Sequence, residues 1–171
     1  MWRVRGYTAG GIDNEEDVMS DTPVVGIIVG SKSDLPVMEG TTEMLEKFGV
    51  ASELVVHSAH RNPDDVREWA TSAEERGLKV IIAGAGKAAA LGGVVAAHTP
   101  LPVIAVPMKT SDLGGMDSLL STVQMPTGVP LATVAIGGAK NAAILATQIL
   151  GVGDPKYREA IRDYKRELAE G

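Results

Sequence analysis

Cysteine is absent from the 171 residues, which excludes thiol nucleophiles, zinc–thiolate centres and disulfides. Aromatic residues are scarce, with one Phe, two Trp and three Tyr. That is too few to sandwich a flavin or to lay out stacking platforms for nucleic-acid bases. Cationic runs are missing too. The net charge of −6 gives no electrostatic reason to expect a nucleic-acid partner. No apolar run reaches membrane-spanning length and no secretory pattern opens the chain, so the expectation is a cytoplasmic protein with no membrane partner.

Small aliphatic residues and twenty glycines take the place of aromatics. That mixture suits a parallel sheet covered by closely packed helices. The chain is long enough for one domain that buries roughly 70% of its unfolded surface. Residues 1–21 show no apolar period and end acidic, which predicts a disordered tail. From Val24 short apolar runs alternate with helical periodicity. Strands are expected at Val24–Val29, Ser52–His57, Val80–Ala83, Pro102–Pro107 and Leu131–Ile136.

Between these runs lie the helices. Ser33 reads as the N-cap of the first, with Leu35, Met38, Leu45 and Phe48 on its apolar stripe and Gly49 closing it. Asn62 reads as the next cap, with Pro63 at the first position and Gly77 beyond the end. Further helices are expected over about Ala88–His98 and Asn141–Leu150. This βαβ series predicts an α/β fold, a parallel sheet with helices on both faces. Residues 108–130 are too long and polar for a simple connection and read as a lid or binding loop, with a short helix near Asp117–Val123. Asp154–Glu170 predicts a charged helix whose stripe of Tyr157, Ile161, Tyr164 and Leu168 needs a partner surface, in its own domain or in a neighbouring subunit.

Three loops follow directly on strand runs, and in a parallel sheet their carboxyl ends share one edge. The first, Gly30-Ser31-Lys32-Ser33-Asp34, offers hydroxyls and a carboxylate that suit sugar hydroxyls or, equally, a helix cap. It lacks the P-loop lysine spacing and the dinucleotide glycine pattern. The second, Ser58-Ala59-His60-Arg61, pairs a guanidinium that can fork onto phosphate with an imidazole. A histidine's unperturbed pKa of about 6.5 suits proton transfer near neutrality. His57 and His98 read as structural, and neither has metal-ligand spacing with His60. The third loop carries Gly84, Ala85, Gly86 and Lys87, where backbone can approach a ligand closely and helix-start amides can hold a carboxylate. Lys87 is either solvated or a cation facing that carboxylate. A response-regulator receiver is excluded because the third strand run ends Ala83-Gly84 rather than on an acid.

In their order, GSKSD, SAHRNP, IIAGAGKAAALGG, LPVIAVP and GMDSLLSTVQMPTGVPLATVAIGGAKNAAILA resemble one family. It is the aminoimidazole ribonucleotide carboxylase/N5-carboxyaminoimidazole ribonucleotide mutase family of purine biosynthesis, and the resemblance covers about Val24 to Leu150. It implies a three-layer α/β/α flavodoxin-like fold with a central parallel sheet, a single catalytic domain over 22–153, and a C-terminal helix over 154–171 packed on a neighbouring subunit. It implies a homo-octamer with sites at subunit junctions, a ribonucleotide substrate with CO2, and no metal or organic cofactor. His60 matches the family's proton-transfer histidine. Ser31, Asp34 and Arg61 match its substrate-binding positions, with Ser33 and Ser58 nearby and Gly84, Ala85, Gly86 and Lys87 on the carboxylate side.

One departure bears on activity. In most bacterial mutases the third loop reads AGGAAHLPG, whereas Ala90 stands here where that histidine belongs. A basic residue with no histidine after it is similar to the loop of the direct carboxylases, while QMPTGVP resembles the mutase branch. The resemblance implies a mutase, with direct carboxylation of aminoimidazole ribonucleotide as the alternative. A ribonucleotide-binding protein without turnover is the alternative of another class.

Overall fold

Val, Ile and Ala crowd the strand runs because both faces of a parallel sheet are covered and each pleat position must fill a dry site. The first and fourth runs are buried at every position. The structure is a computed structural model that describes residues 22–171, so the tail expected over 1–21 lies outside the described residues. The strands are β1 (Val25–Val29), β2 (Ser52–Val56), β3 (Val80–Ala85), β4 (Val103–Pro107) and β5 (Ala132–Thr133). All pair in parallel, in the spatial order β2-β1-β3-β4-β5.

The helices are α1 (Leu35–Lys47), α2 (Pro63–Thr71), α3 (Ala90–His98), α4 (Met116–Val123), α5 (Ala139–Gly153) and α6 (Pro155–Glu170). Alternation along the strands assigns each layer. Val25, Ile27 and Val29 face a core shared with Met38 and Leu45 of α1, the alanines of α5, and Tyr157 and Ile161 of α6. Ile28, Ile81 and Ala83 face the opposite core, filled by Val66 and Trp69 of α2 and Leu91 and Val95 of α3. Helices therefore cover both faces, the three-layer arrangement expected. Gly26 makes room for this second core, since a Cβ there would stand 2.8 Å from Leu78 Cδ1 and 2.9 Å from the Trp69 ring.

Three local expectations are corrected. Ser31, not Ser33, does the capping, and what it caps is a 3₁₀ turn over Lys32–Asp34. Its Oγ accepts from the Ser33 N–H, and α1 begins only at Leu35. Asn62 precedes α2 but makes no side-chain cap bond, and regular helix stops at Thr71, well before Gly77. β5 holds two residues rather than six. Val134 N–H still donates to the Ala105 carbonyl (3.1 Å), but Pro107 has no N–H to return to the Val134 carbonyl, so the ladder breaks.

The C-terminal helix forms where it is expected. Asp154 caps it by accepting from the Lys156 N–H at 3.0 Å. Tyr157 and Ile161 then sink into the core of their own chain against α5. Tyr164 meets Phe48 edge-to-face at 5.3 Å, and Lys47 pairs with Glu167 at 2.7 Å. Tyr157, Ile161 and Tyr164 of the stripe thus find partners within their own chain, where α6 passes so close to α5 that a Cβ on Gly151 would stand 3.1 Å from Arg158 N. Only Leu168 at its end stays out, 63% exposed.

Candidate active site

From β1 the chain steps outward to β2, then returns to the other side of β1 to lay down β3, β4 and β5. The strand order therefore reverses between β1 and β3, and the loops leaving their carboxyl ends diverge to open a crevice. A cavity of about 660 Å³ occupies that edge, a size that suits a nucleotide-like ligand. Its walls are the loops after β1, β2, β3 and β4.

The structure brings nine of the ten residues expected at the site to this cavity: Ser31, Ser33, Asp34, Ser58, His60, Arg61, Ala85, Gly86 and Lys87. Gly84 is the correction. It belongs to β3 and lies beneath the wall, where an added Cβ would stand 2.5 Å from Met108 Cε and 3.1 Å from Met38 Sδ. Its missing side chain makes room for two methionines under the floor rather than for a ligand.

On the β1–β2 side the polar groups brace one another. Ser33 Oγ donates to Ser31 Oγ at 2.9 Å. Arg61 donates through Nη2 to the Gly30 carbonyl at 2.7 Å, tying the second loop to the first. The Ser58 N–H donates to Asn62 Oδ1 at 2.7 Å, and Ser58 Oγ accepts from the Arg61 N–H at 3.3 Å. Asn62 thus spends its carbonyl on loop two while its amide nitrogen reaches Asp65 (2.6 Å) and His57 Nδ1 (3.2 Å). His57 is engaged there, as a structural histidine should be. His60 differs. It lines the cavity, is exposed, and among the described residues its ring makes no hydrogen bond.

Burial raises the Asp34 carboxyl above its ordinary value, against the opposing pull of the Ser33 hydroxyl, the Ser31 backbone and the Arg61 charge. A half-buried carboxylate beside hydroxyls lacks its full hydration and accepts hydrogen bonds from a ligand's hydroxyls readily.

The β3–β4 side is built otherwise. Lys87 (φ 56°) and Ala89 (φ 39°) adopt left-handed backbone although neither is glycine. This conformation stops α3 from reaching back to Ala88, and the helix starts at Ala90 with no side-chain cap. Its first amides therefore stay available to an anion. Lys87 Nζ pairs with Asp112 Oδ2 at 2.5 Å. That hydrogen bond and charge raise the Lys87 pKa and lower that of Asp112.

Residues 108–111 complete this wall, and the segment is pinned by Ser118 Oγ donating to the Met108 carbonyl (2.6 Å) and by Thr110 donating to Asp117 (3.0 Å). Sequence reasoning marked the segment as a binding loop but offered none of residues 108–111, nor Asp112, as a site residue. Their signal was only their place after a strand. Among the described residues no three His, Asp or Glu side chains are grouped to hold a metal ion, and no helix is long and apolar enough to cross a membrane.

A family model described as AIR carboxylase matches residues 24–171. The N5-carboxyaminoimidazole ribonucleotide mutase of Thermotoga maritima is 59% identical over 146 residues, covering 85% of this chain and 85% of that protein. The mutase of the same name from Pyrococcus horikoshii is 56% identical over 149 residues, covering 87% and 84%. Among solved structures, Treponema denticola PurE superposes with a TM-score of 0.80 at 30% identity, covering 86% of this chain and 92% of that one.

Proposed function

We propose that this chain, which belongs to the AIR carboxylase family, is an N5-carboxyaminoimidazole ribonucleotide mutase that moves a carboxylate from N5 to C4 in purine biosynthesis. The observation that carries the reading is the convergence of Asp34, Arg61 and an unengaged His60 on one cavity at the strand-order reversal. Arg61 and the nearby hydroxyls supply a phosphate-binding corner, and Asp34 takes the ribose hydroxyls.

The chemistry needs no external reagent. The N5–carboxyl bond breaks, N5 receives a proton, CO2 bonds to C4, and the C4 proton leaves to restore aromaticity. One proton is delivered and one withdrawn, so a single imidazole that begins protonated serves both steps. His60 is that imidazole. Holding CO2 beside the ring substitutes proximity for activation, and the amides at the start of α3 receive the carboxylate. The reading includes no metal or organic cofactor.

The proposal includes a cytoplasmic homo-octamer with sites at subunit junctions. Leu113, Met116, Leu120 and Val123 support association. Met116, Leu120 and Val123 recur at helical spacing along α4 and Leu113 lies just ahead of it; each is about half exposed or more, an apolar patch that a second copy would cover.

Direct carboxylation of aminoimidazole ribonucleotide is the second reading, favoured by Ala90 at the start of α3 beside the Lys87 cation. Purified protein given N5-carboxyaminoimidazole ribonucleotide without bicarbonate should form the 4-carboxy product. Efficient turnover only of aminoimidazole ribonucleotide with bicarbonate would transfer the assignment to the carboxylase. Binding with no turnover of either would leave a ribonucleotide-binding protein.

A further inference from the structure

We propose that Lys87 and Asp112 form an exchangeable latch on the β3–β4 wall: Asp112 parks the Lys87 ammonium at the cavity rim and yields it to the carboxylate of an incoming ligand. The latch rests on the ribonucleotide reading above and adds to it Asp112, a residue outside the cavity lining.

Topology puts the pair where a latch has to be. Lys87 leaves the end of β3 and Asp112 follows the end of β4, neighbouring strands whose loops run side by side. Lys87 lines the cavity and Asp112 does not, so their contact draws the ammonium outward from the ligand space. Both side chains are well exposed, 70% and 60%. An ion pair this wet contributes little, so exchange costs little, while a carboxylate deeper in the cavity meets the ammonium at lower effective dielectric.

The backbone points the same way. Lys87 holds a left-handed conformation that glycine would adopt without strain. Left-handed backbone at a cavity-lining residue points to a role for the loop's shape, and Ala89 two residues on shares it. The raised pKa of Lys87 and the lowered one of Asp112 have each other as their largest cause, with smaller help from Asp117 and from the Ser111 hydroxyl. At the opposite wall Arg61 is tied to Gly30. β2 and β3 are two inter-strand gaps apart, about 10 Å, which puts the phosphate-binding cation and the carboxylate-binding one on separate loops of one cavity. Lys109 also lines the cavity and is the rival cation.

Calorimetric titration of the full chain with 4-carboxyaminoimidazole ribonucleotide and with aminoimidazole ribonucleotide tests the latch. Lys87→Met should weaken the carboxylated ligand about tenfold, as loss of one charge-assisted bond does, and leave the other within a factor of two. Asp112→Asn should tighten the carboxylated ligand, up to about fivefold for release of an exposed pair, and should have no effect when added to Lys87→Met. Equal effects of Asp112→Asn on both ligands, or a persistent effect in the Lys87→Met background, overturn the latch. So does loss of discrimination in Lys109→Met but not in Lys87→Met. Wild-type protein that binds neither ribonucleotide would instead sink the functional reading, so the two failures are told apart.

Discussion

On the β1–β2 side of the cavity, Arg61 is fastened to the Gly30 carbonyl, Ser58 to Asn62, and Ser33 to Ser31. Across from it, the β3–β4 side presents a solvent-exposed ion pair and two non-glycine residues in left-handed backbone. The first wall suits the parts of a ligand that do not change during turnover, its phosphate and ribose. The second suits the group that moves. A carboxyl transfer needs both, because the ring must stay still while its substituent migrates.

The largest effect expected is at His60, whose ring lines the cavity and makes no hydrogen bond among the described residues. His60→Asn should lower kcat by about 10²–10⁴-fold, the range for loss of general acid–base catalysis, with ribonucleotide affinity nearly unchanged. Steady-state kinetics and calorimetry together check this, and near-normal kcat would remove the imidazole from the chemistry.

Next comes Arg61. Arg61→Ala should weaken carboxylated and uncarboxylated ribonucleotides alike by about ten- to a hundredfold, the value of a hydrogen-bonded charge. Selective loss of only the carboxylated ligand would erase the division of labour between the walls.

A smaller effect tests what lies under the β3–β4 wall. Gly84→Ala drives a methyl into Met108 and Met38 and should cost about 1–3 kcal/mol of stability in chemical denaturation, since overpacking is only partly relieved by flexible methionines. No loss of stability would mean that the floor is looser than the contacts indicate.

The smallest is at Asp34, whose folded pKa is raised by burial. For a carboxyl so shifted, the unfavourable contribution is absent below the unfolded pKa and develops as pH rises through the folded value. The penalty grows with pH, so Asp34→Asn should raise Tm more at pH 7 than at pH 3 while weakening ribonucleotide binding. A Tm gain equal at pH 3 and pH 7 would refute the burial argument.

How far the sequence could be read varied with the range of the interactions involved. Strand positions followed from apolar runs, and the approach of three loops followed from strand direction alone. Capping was misread at Ser33 and Asn62 because a short polar side chain has several backbone donors within reach. At Asn62 a loop amide and two further side chains won over the cap. Gly84 was misassigned because a glycine under the floor and one in the wall look alike until Met38 and Met108 arrive from other elements.

The amino-acid sequence alone determined the α/β class, the loops that carry chemistry and the placing of the chain in its family, because each depends on local periodicity or on contiguous motifs. Tertiary structure decided that α6 turns back onto its own domain, that Asp112 reaches Lys87 across twenty-five residues of chain, and that His60 stands unengaged while His57 does not. These outcomes depend on which side chains meet from separate elements, and no single segment of sequence contains that information.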